Sequence, residues 1–137
     1  MTEEFSGLPK PRRYLAILAI SFGTALVAID SAIVAVALPT IARDLGVPPA
    51  SAVAIVTIYQ LVFVMTLLPF SALGSRIGLR RLYQYGQLTF CIASALCFFA
   101  KSLPFLIVTR AAQSLGAAAA LSVSSALIRS TYPAARL

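Results

Sequence analysis

Two ionisable residues, Asp30 and Arg110, lie inside long apolar segments of this 137-residue chain. A charged side chain at the centre of a bilayer costs about 2.5–3.5 kcal/mol on insertion scales, so such residues usually face the interior of a helix bundle and pair there. Asp30 can gain and lose a proton, whereas Arg110 is a permanent cation. The pair therefore has two interpretations: a structural link between two helices, or a site for protons or substrate.

Polar residues accompany Arg110 at helical spacing. Gln113 and Ser114 follow it by three and four residues and so share its face. This polar stripe indicates either ordinary packing of small residues, which explains Gln113 poorly, or a functional face beside Arg110. In a second apolar segment, Tyr59 shares a face with Phe63 and a threonine, which indicates either helix packing or the wall of a binding cavity.

Four apolar segments must position these residues. The chain is 60% hydrophobic and 11% charged, with a mean hydropathy of +0.93, whereas a soluble domain carries about 25% charged residues. About 20 residues in a helix cross the hydrocarbon of a bilayer. We therefore predict an all-α integral membrane protein, with a four-helix bundle over residues 14–129 between terminal segments 1–13 and 130–137. The predicted spans are 14–38, 52–73, 82–100 and 103–128.

The basic residues predict the orientation. Arg43 and Lys101 fall on one side of the four predicted spans, and eight basic residues fall on the other: Lys10, Arg12, Arg13, Arg76, Arg80, Arg81, Arg129 and Arg136. Cytoplasmic loops carry the excess of Lys and Arg, so both termini are predicted to be cytoplasmic in a bacterial inner membrane. Because these charges flank apolar runs and form no basic stripe, nucleic acid is not an expected partner.

Enzymatic and cofactor chemistry find little support in this composition. The chain has no histidine, and no paired carboxylates lie within its predicted spans, so we expect neither an enzyme nor a cofactor. Cys91 and Cys97 lie six residues apart in one segment and point to different faces. We expect both to be small buried residues.

Two connections are predicted from glycine and proline. Pro39 is expected to close the first segment. Residues 71–81 are expected to form a short basic loop, in which Gly74 and Gly78 flank Arg76 and make a tight turn close to neighbouring helix ends.

Three motifs resemble the major facilitator superfamily, and within it the drug/proton antiporters of about fourteen spans. Residues 29–41 (IDSAIVAVALPTI) are similar to the signature D-x-T-I-V-N-V-A-L-P, and residues 110–118 (RAAQSLGAA) to R-x-x-Q-G-x-G-A-A. Residues 71–81 (SALGSRIGLRR) resemble the loop motif G-x-L-A-D-R-x-G-R-R, with Ser75 at the position of the acid. The motifs occur in the family's order.

This resemblance implies the N-terminal part of a proton-coupled secondary transporter that exports drugs or other amphipathic small molecules. Asp30 and Arg110 would couple transport to protons, and Gln113 and Tyr59 would line the substrate cavity. The implied gating residues are Arg76, Gly78 and Arg80. The implied partners are a small-molecule substrate, protons, the lipid bilayer and the missing C-terminal helices of the same transporter.

Two alternatives fit the number of spans. A complete four-span multidrug exporter acting as a dimer fits the length, but that family resembles a chain with a glutamate in its first span, and no glutamate follows Glu4 here. A non-transporting membrane scaffold would need Asp30 only for stability.

Overall fold

The computed structural model describes residues 9–131, which form four helices and no strand. The helices are α1 (Lys10–Asp44), α2 (Pro49–Ile77), α3 (Leu79–Phe98) and α4 (Leu103–Thr131). The predicted all-α class is confirmed. The outer parts of the predicted terminal segments, residues 1–8 and 132–137, lie outside the described residues.

Helix α4 lies at the centre of the bundle. It packs most extensively against α3 and then against α2, and less extensively against α1. Half of its most apolar stretch is buried, compared with 11% for the corresponding stretches of α1 and α2. All four alanines at residues 117–120 are buried, as expected of a run of small residues that lets helices approach closely.

The closest approach of two helices is a glycine seam between α3 and α4, formed by Gly86 and Gly116. A Cβ atom added to Gly116 would lie 2.6 Å from the carbonyl oxygen of Gly86, and one added to Gly86 would lie 2.8 Å from that of Gly116. No side chain fits in that space, so the two backbones touch directly. Van der Waals contact of this kind is a main source of helix association in lipid.

Large apolar side chains on the outside of the bundle indicate a membrane environment. Phe22, Val36 and Leu68 are 72, 83 and 78% exposed. Within the described residues, α1, α2 and α4 are long and apolar enough to cross a membrane. Helix α3, with 20 residues, is about 30 Å long but carries arginines and glutamines in its first half. It stays a predicted span, and Cys91 on it is exposed, contrary to the expected burial.

Pro39 does not close the first helix, so that prediction is wrong. Helix α1 continues through Pro39 to Asp44. A proline within a helix removes one hydrogen bond, which is tolerated in membrane helices where neighbours compensate. Here the extra turn is held by packing, because Ala42 is buried against Ala52 and Ile55 of α2.

The expected loop over residues 71–81 is a single-residue break. Helix α2 extends to Ile77 and α3 begins at Leu79, so Gly78 alone separates them. Gly78 has φ +100°, a conformation that side-chain-bearing residues rarely adopt. The expected close approach is confirmed at Gly74, where an added Cβ atom would lie 2.6 Å from a methyl carbon of Val123 on α4.

Candidate functional site

Asp30 and Arg110 form an ion pair between α1 and α4. The Nη1 atom of Arg110 lies 2.7 Å from Oδ2 of Asp30, and the two side chains are 3% and 21% exposed, respectively. The helices run in opposite directions. Asp30 lies 14 residues from the end of α1 at Asp44, and Arg110 lies seven residues from the start of α4 at Leu103. The distance of 2.7 Å confirms the pairing expected of charged residues inside apolar helices, and this is the only ion pair within residues 9–131.

Two further groups hold the guanidinium of Arg110. Its Cζ atom lies 4.2 Å from the centre of the Tyr59 ring on α2, within the range of a cation–π contact. Its Nη1 atom also donates a hydrogen bond to Oε1 of Gln113, one turn along α4. Arg110 thus joins α1, α2 and α4 at one point.

Ser114 fixes the position of α2 against α4 at the same depth. Its hydroxyl group donates a hydrogen bond of 2.6 Å to the backbone carbonyl of Tyr59, and the side chain is fully buried. This hydrogen bond fixes the backbone of Tyr59 relative to α4, the helix that carries Arg110. The serine therefore positions the aromatic ring that lies under the guanidinium.

Three buried atoms around the ion pair have no hydrogen-bond partner among the described residues: Nε of Arg110, Nε2 of Gln113 and the hydroxyl oxygen of Tyr59. Buried polar groups are normally paired, and each unpaired one costs about 1–3 kcal/mol. All three groups can donate a hydrogen bond. The site therefore contains unused hydrogen-bond donors on Arg110, Gln113 and Tyr59.

A cavity of about 470 Å³ borders the ion pair and involves all four helices. Its wall is mainly apolar and includes Ile33, Val34, Ile55, Leu106 and Phe98. The charged groups in it are Asp30, Asp44 and Arg110, and Gln113 also lies in its wall. Tyr59 is not in this wall, because it lies against Arg110 on the side of α2.

Asp44 and Cys97 belong to this wall, although the sequence pattern assigned neither of them to the site. Asp44 lies 14 residues after Asp30, which is close to four helical turns, so its position on the same face could have been noticed. Cys97 lies with its sulfur 3.3 Å from the hydroxyl oxygen of Thr109 and 3.8 Å from Oε1 of Gln113. Nothing in the local sequence of α3 indicates that contact.

The predicted gating residues lie far from the ion pair. Arg76 and Arg80 flank the break at Gly78 and are exposed. Arg76 follows Tyr59 by 17 residues on α2, which is about 25 Å along the helix axis. The structure therefore contains two separate groups, one in the middle of the bundle and one at the end where α2 meets α3.

Comparison with known proteins indicates one family. The profile of the Major Facilitator Superfamily matches residues 20–137. The chain is 47% identical over 93% of its length to the uncharacterized transporter YebQ of Escherichia coli (strain K12). It is 32% identical over 90% of its length to the riboflavin transporter RibZ of Clostridioides difficile (strain 630). It is also 36% identical over 88% of its length to the methyl viologen resistance protein SmvA of Salmonella typhimurium (strain 14028s / SGSC 2262).

These similarities extend over most of the chain but only part of each relative. The chain covers 28, 27 and 24% of YebQ, RibZ and SmvA, and so spans about a quarter of the relatives' length. No solved structure matches the chain.

Proposed function

Because the chain belongs to the major facilitator superfamily, we propose that it is the N-terminal part of a proton-coupled secondary transporter exporting amphipathic small molecules. Members of this superfamily are transporters and not enzymes, as the sequence predicts. In such transporters the substrate site lies near the middle of the membrane, between repeats that rock against each other. The remaining helices of the transporter would complete that site.

The ion pair between Asp30 and Arg110 is the observation that carries the proposal. The Asp30 carboxylate supplies the negative charge of this pair, and Arg110 is a permanent cation. Protonation of Asp30 cancels its attraction for Arg110 and removes the main polar link between α1 and α4. Re-forming the pair releases the proton. A movement of α1 relative to α4 is thereby tied to the gain or loss of one proton.

Arg110 can keep its position when its contact with Asp30 is lost. Gln113 and Tyr59 hold the guanidinium from α4 and α2, so it keeps two contacts when Asp30 is neutral. A buried cation that lost all its partners would cost several kcal/mol. These neighbours keep that cost low and allow the carboxyl group to leave and return.

The composition of the cavity supports an amphipathic substrate. Apolar side chains form most of its wall, and the unpaired Nε2 of Gln113 can donate a hydrogen bond to an oxygen of the substrate. Ligand cavities typically combine an apolar wall with a few polar groups that fix orientation. We propose that Gln113 binds the substrate directly and that Tyr59 contributes through Arg110. One relative is named for methyl viologen resistance, and that name favours export.

The proton-coupling role is tested with Asp30→Asn in a full-length transporter that contains this chain. Everted membrane vesicles are energised, and the proton release caused by added methyl viologen or ethidium is followed with acridine orange. Asp30→Asn is expected to abolish substrate-induced proton release while leaving the protein folded in the membrane. The conservative variant Asp30→Glu, which keeps a carboxylate on α1 beside Arg110, is expected to keep substrate-induced proton release. Proton release that persists in Asp30→Asn would contradict the proposal.

We further propose that both termini and the α2–α3 break face the cytoplasm of a bacterial inner membrane, with Arg76, Gly78 and Arg80 acting as a gate. The asymmetry of basic residues supports this orientation. Cysteines placed at the exposed positions Ser51 and Ser75, in a background without Cys91 and Cys97, should be labelled from opposite sides by an impermeant maleimide. Labelling of both from one side would overturn the topology.

The two alternatives are not favoured. Relatives more than three times as long as this chain fit neither a complete four-span exporter nor a small scaffold bundle.

A further inference from the structure

A second cavity, of about 390 Å³, lies at the end of the bundle where α1 and α3 begin and α4 ends. It is separate from the cavity at Asp30 and shares no residue with it. Arg12 from α1 and Arg80 from α3 line it, together with Tyr83 and Gln84. Two cations from different helices thus border one cavity at the basic end of the bundle.

These arginines have no acidic partner among residues 9–131. The only two acids in that range are Asp30 and Asp44. Asp30 is paired with Arg110, and Asp44 lies 32 residues after Arg12, which is about 48 Å along α1. Arg12 and Arg80 are both exposed. No acid among residues 9–131 therefore compensates the positive charge that Arg12 and Arg80 bring to the cavity.

The cavity becomes apolar toward the middle of the membrane. Ala16, Ala19 and Ile20 line it on α1, and they lie about 6–12 Å deeper than Arg12. Tyr83 marks the transition, because its hydroxyl group donates a hydrogen bond of 3.3 Å to the carbonyl of Ala19. Small side chains at two of these positions leave a groove along α1 below the arginines.

We propose that this cavity binds an anionic phospholipid, with the headgroup phosphate between Arg12 and Arg80. The guanidinium group binds phosphate oxygens in a planar, bidentate geometry. Gln84 supplies an amide donor at the level of the ester groups, and one acyl chain lies in the groove formed by Ala16 and Ala19. The cavity presents cationic groups from α1 and α3, polar groups from α3 and apolar groups from α1, which match the parts of a phospholipid. The site depends on insertion in a bilayer and not on the proposed transport cycle.

The test uses the absence of tryptophan from the chain. Leu15→Trp places a single fluorophore one turn from Ala19, on the same face of α1. The protein is reconstituted in phosphatidylcholine vesicles containing increasing fractions of brominated phosphatidylglycerol, and the quenching is compared with that by brominated phosphatidylcholine. A preference of about fivefold or more for phosphatidylglycerol is expected, since one arginine near an anionic surface contributes about that factor.

Two double variants, each of which removes two positive charges, distinguish a specific lipid site from general electrostatic attraction between anionic lipid and the basic end of the bundle. Arg12→Gln with Arg80→Gln is expected to reduce the preference to about one. Lys10→Gln with Arg81→Gln changes basic residues outside the cavity, near the same helix ends, and is expected to keep it. The proposal would be overturned if both double variants lost the preference for phosphatidylglycerol equally, or if the parent protein showed no such preference.

Two other occupants are distinguished in the same assay. Free inorganic phosphate at millimolar concentration is expected to leave the quenching unchanged, and displacement by it would assign the site to the free anion. A preference for phosphatidylglycerol that emerges only after Glu3→Gln with Glu4→Gln would assign the cavity to the chain's own N-terminal segment. Either result would contradict the lipid assignment.

Discussion

Helix α4 contacts α3 and α1 in different ways. Against α3 it uses the seam of Gly86 and Gly116, where backbone meets backbone over an extensive interface. Against α1 the interface is smaller, and its main polar link is the ion pair of Asp30 and Arg110. The seam has no polar side chain that could gain or lose a charge, whereas the α1 contact depends on one.

The difference divides the bundle into a fixed part and a part that can move. Close van der Waals packing has a single optimum and resists displacement. A contact that depends on one ion pair has two states, charged and neutral, and so can be switched. We therefore expect substitutions in the α3–α4 seam to affect folding, and substitutions at the α1–α4 contact to affect the arrangement of α1.

The largest expected effect is that of Gly116→Val in the seam. The new side chain would overlap the carbonyl of Gly86 and the backbone of Phe90, and such overpacking costs about 1–3 kcal/mol or more. We expect a marked loss of folded protein, measured by circular dichroism during unfolding in mixed micelles. Ser125→Val, at an exposed position of the same helix, should leave the unfolding curve unchanged. Equal behaviour of the two variants would show that the seam is not the fixed part.

A smaller effect is expected at Tyr59, which supports the switching contact. Tyr59→Leu removes the ring that lies against Arg110, and the loss of a desolvated cation–π contact costs about 1–2 kcal/mol. Tyr59→Phe keeps the ring and removes a buried hydroxyl group that has no hydrogen-bond partner among the described residues, so its free energy of unfolding should stay equal or rise. The same unfolding measurement compares the two. A similar loss in both variants would mean that the hydroxyl group, and not the ring, matters.

The centre of the site could be predicted from sequence because charged residues are costly in hydrocarbon and therefore rare within membrane-spanning segments. In the predicted spans, which run in opposite directions, Asp30 lies eight residues before residue 38 and Arg110 seven residues after residue 103, so a similar depth is expected. Gln113 follows Arg110 at helical spacing. The four helices followed from the length of the apolar segments for the same reason. No local feature of α3, in contrast, shows that Cys97 faces Thr109, since that contact depends on how two helices rotate against each other.

The errors concern helix ends. The turn preferences of proline and glycine predict ends at Pro39 and within residues 71–81, but packing against neighbouring helices extends α1 to Asp44 and α2 to Ile77. Ala42 and Gly74, both buried against neighbouring helices, supply that packing. Contacts with neighbouring helices determine where these helices end, and the local sequence does not show those contacts.

The most direct test of the account is the distance between α1 and α4 when Asp30 is neutral. Spin labels at the exposed positions Val36 and Val108, in a full-length transporter without Cys91 and Cys97, report that distance by double electron–electron resonance. Asp30→Asn mimics the protonated carboxyl group. The account predicts a longer mean distance in Asp30→Asn than in the parent, and no change in Asp44→Asn. Identical distance distributions in the parent and Asp30→Asn would contradict it, because the ion pair would then not control the position of α1.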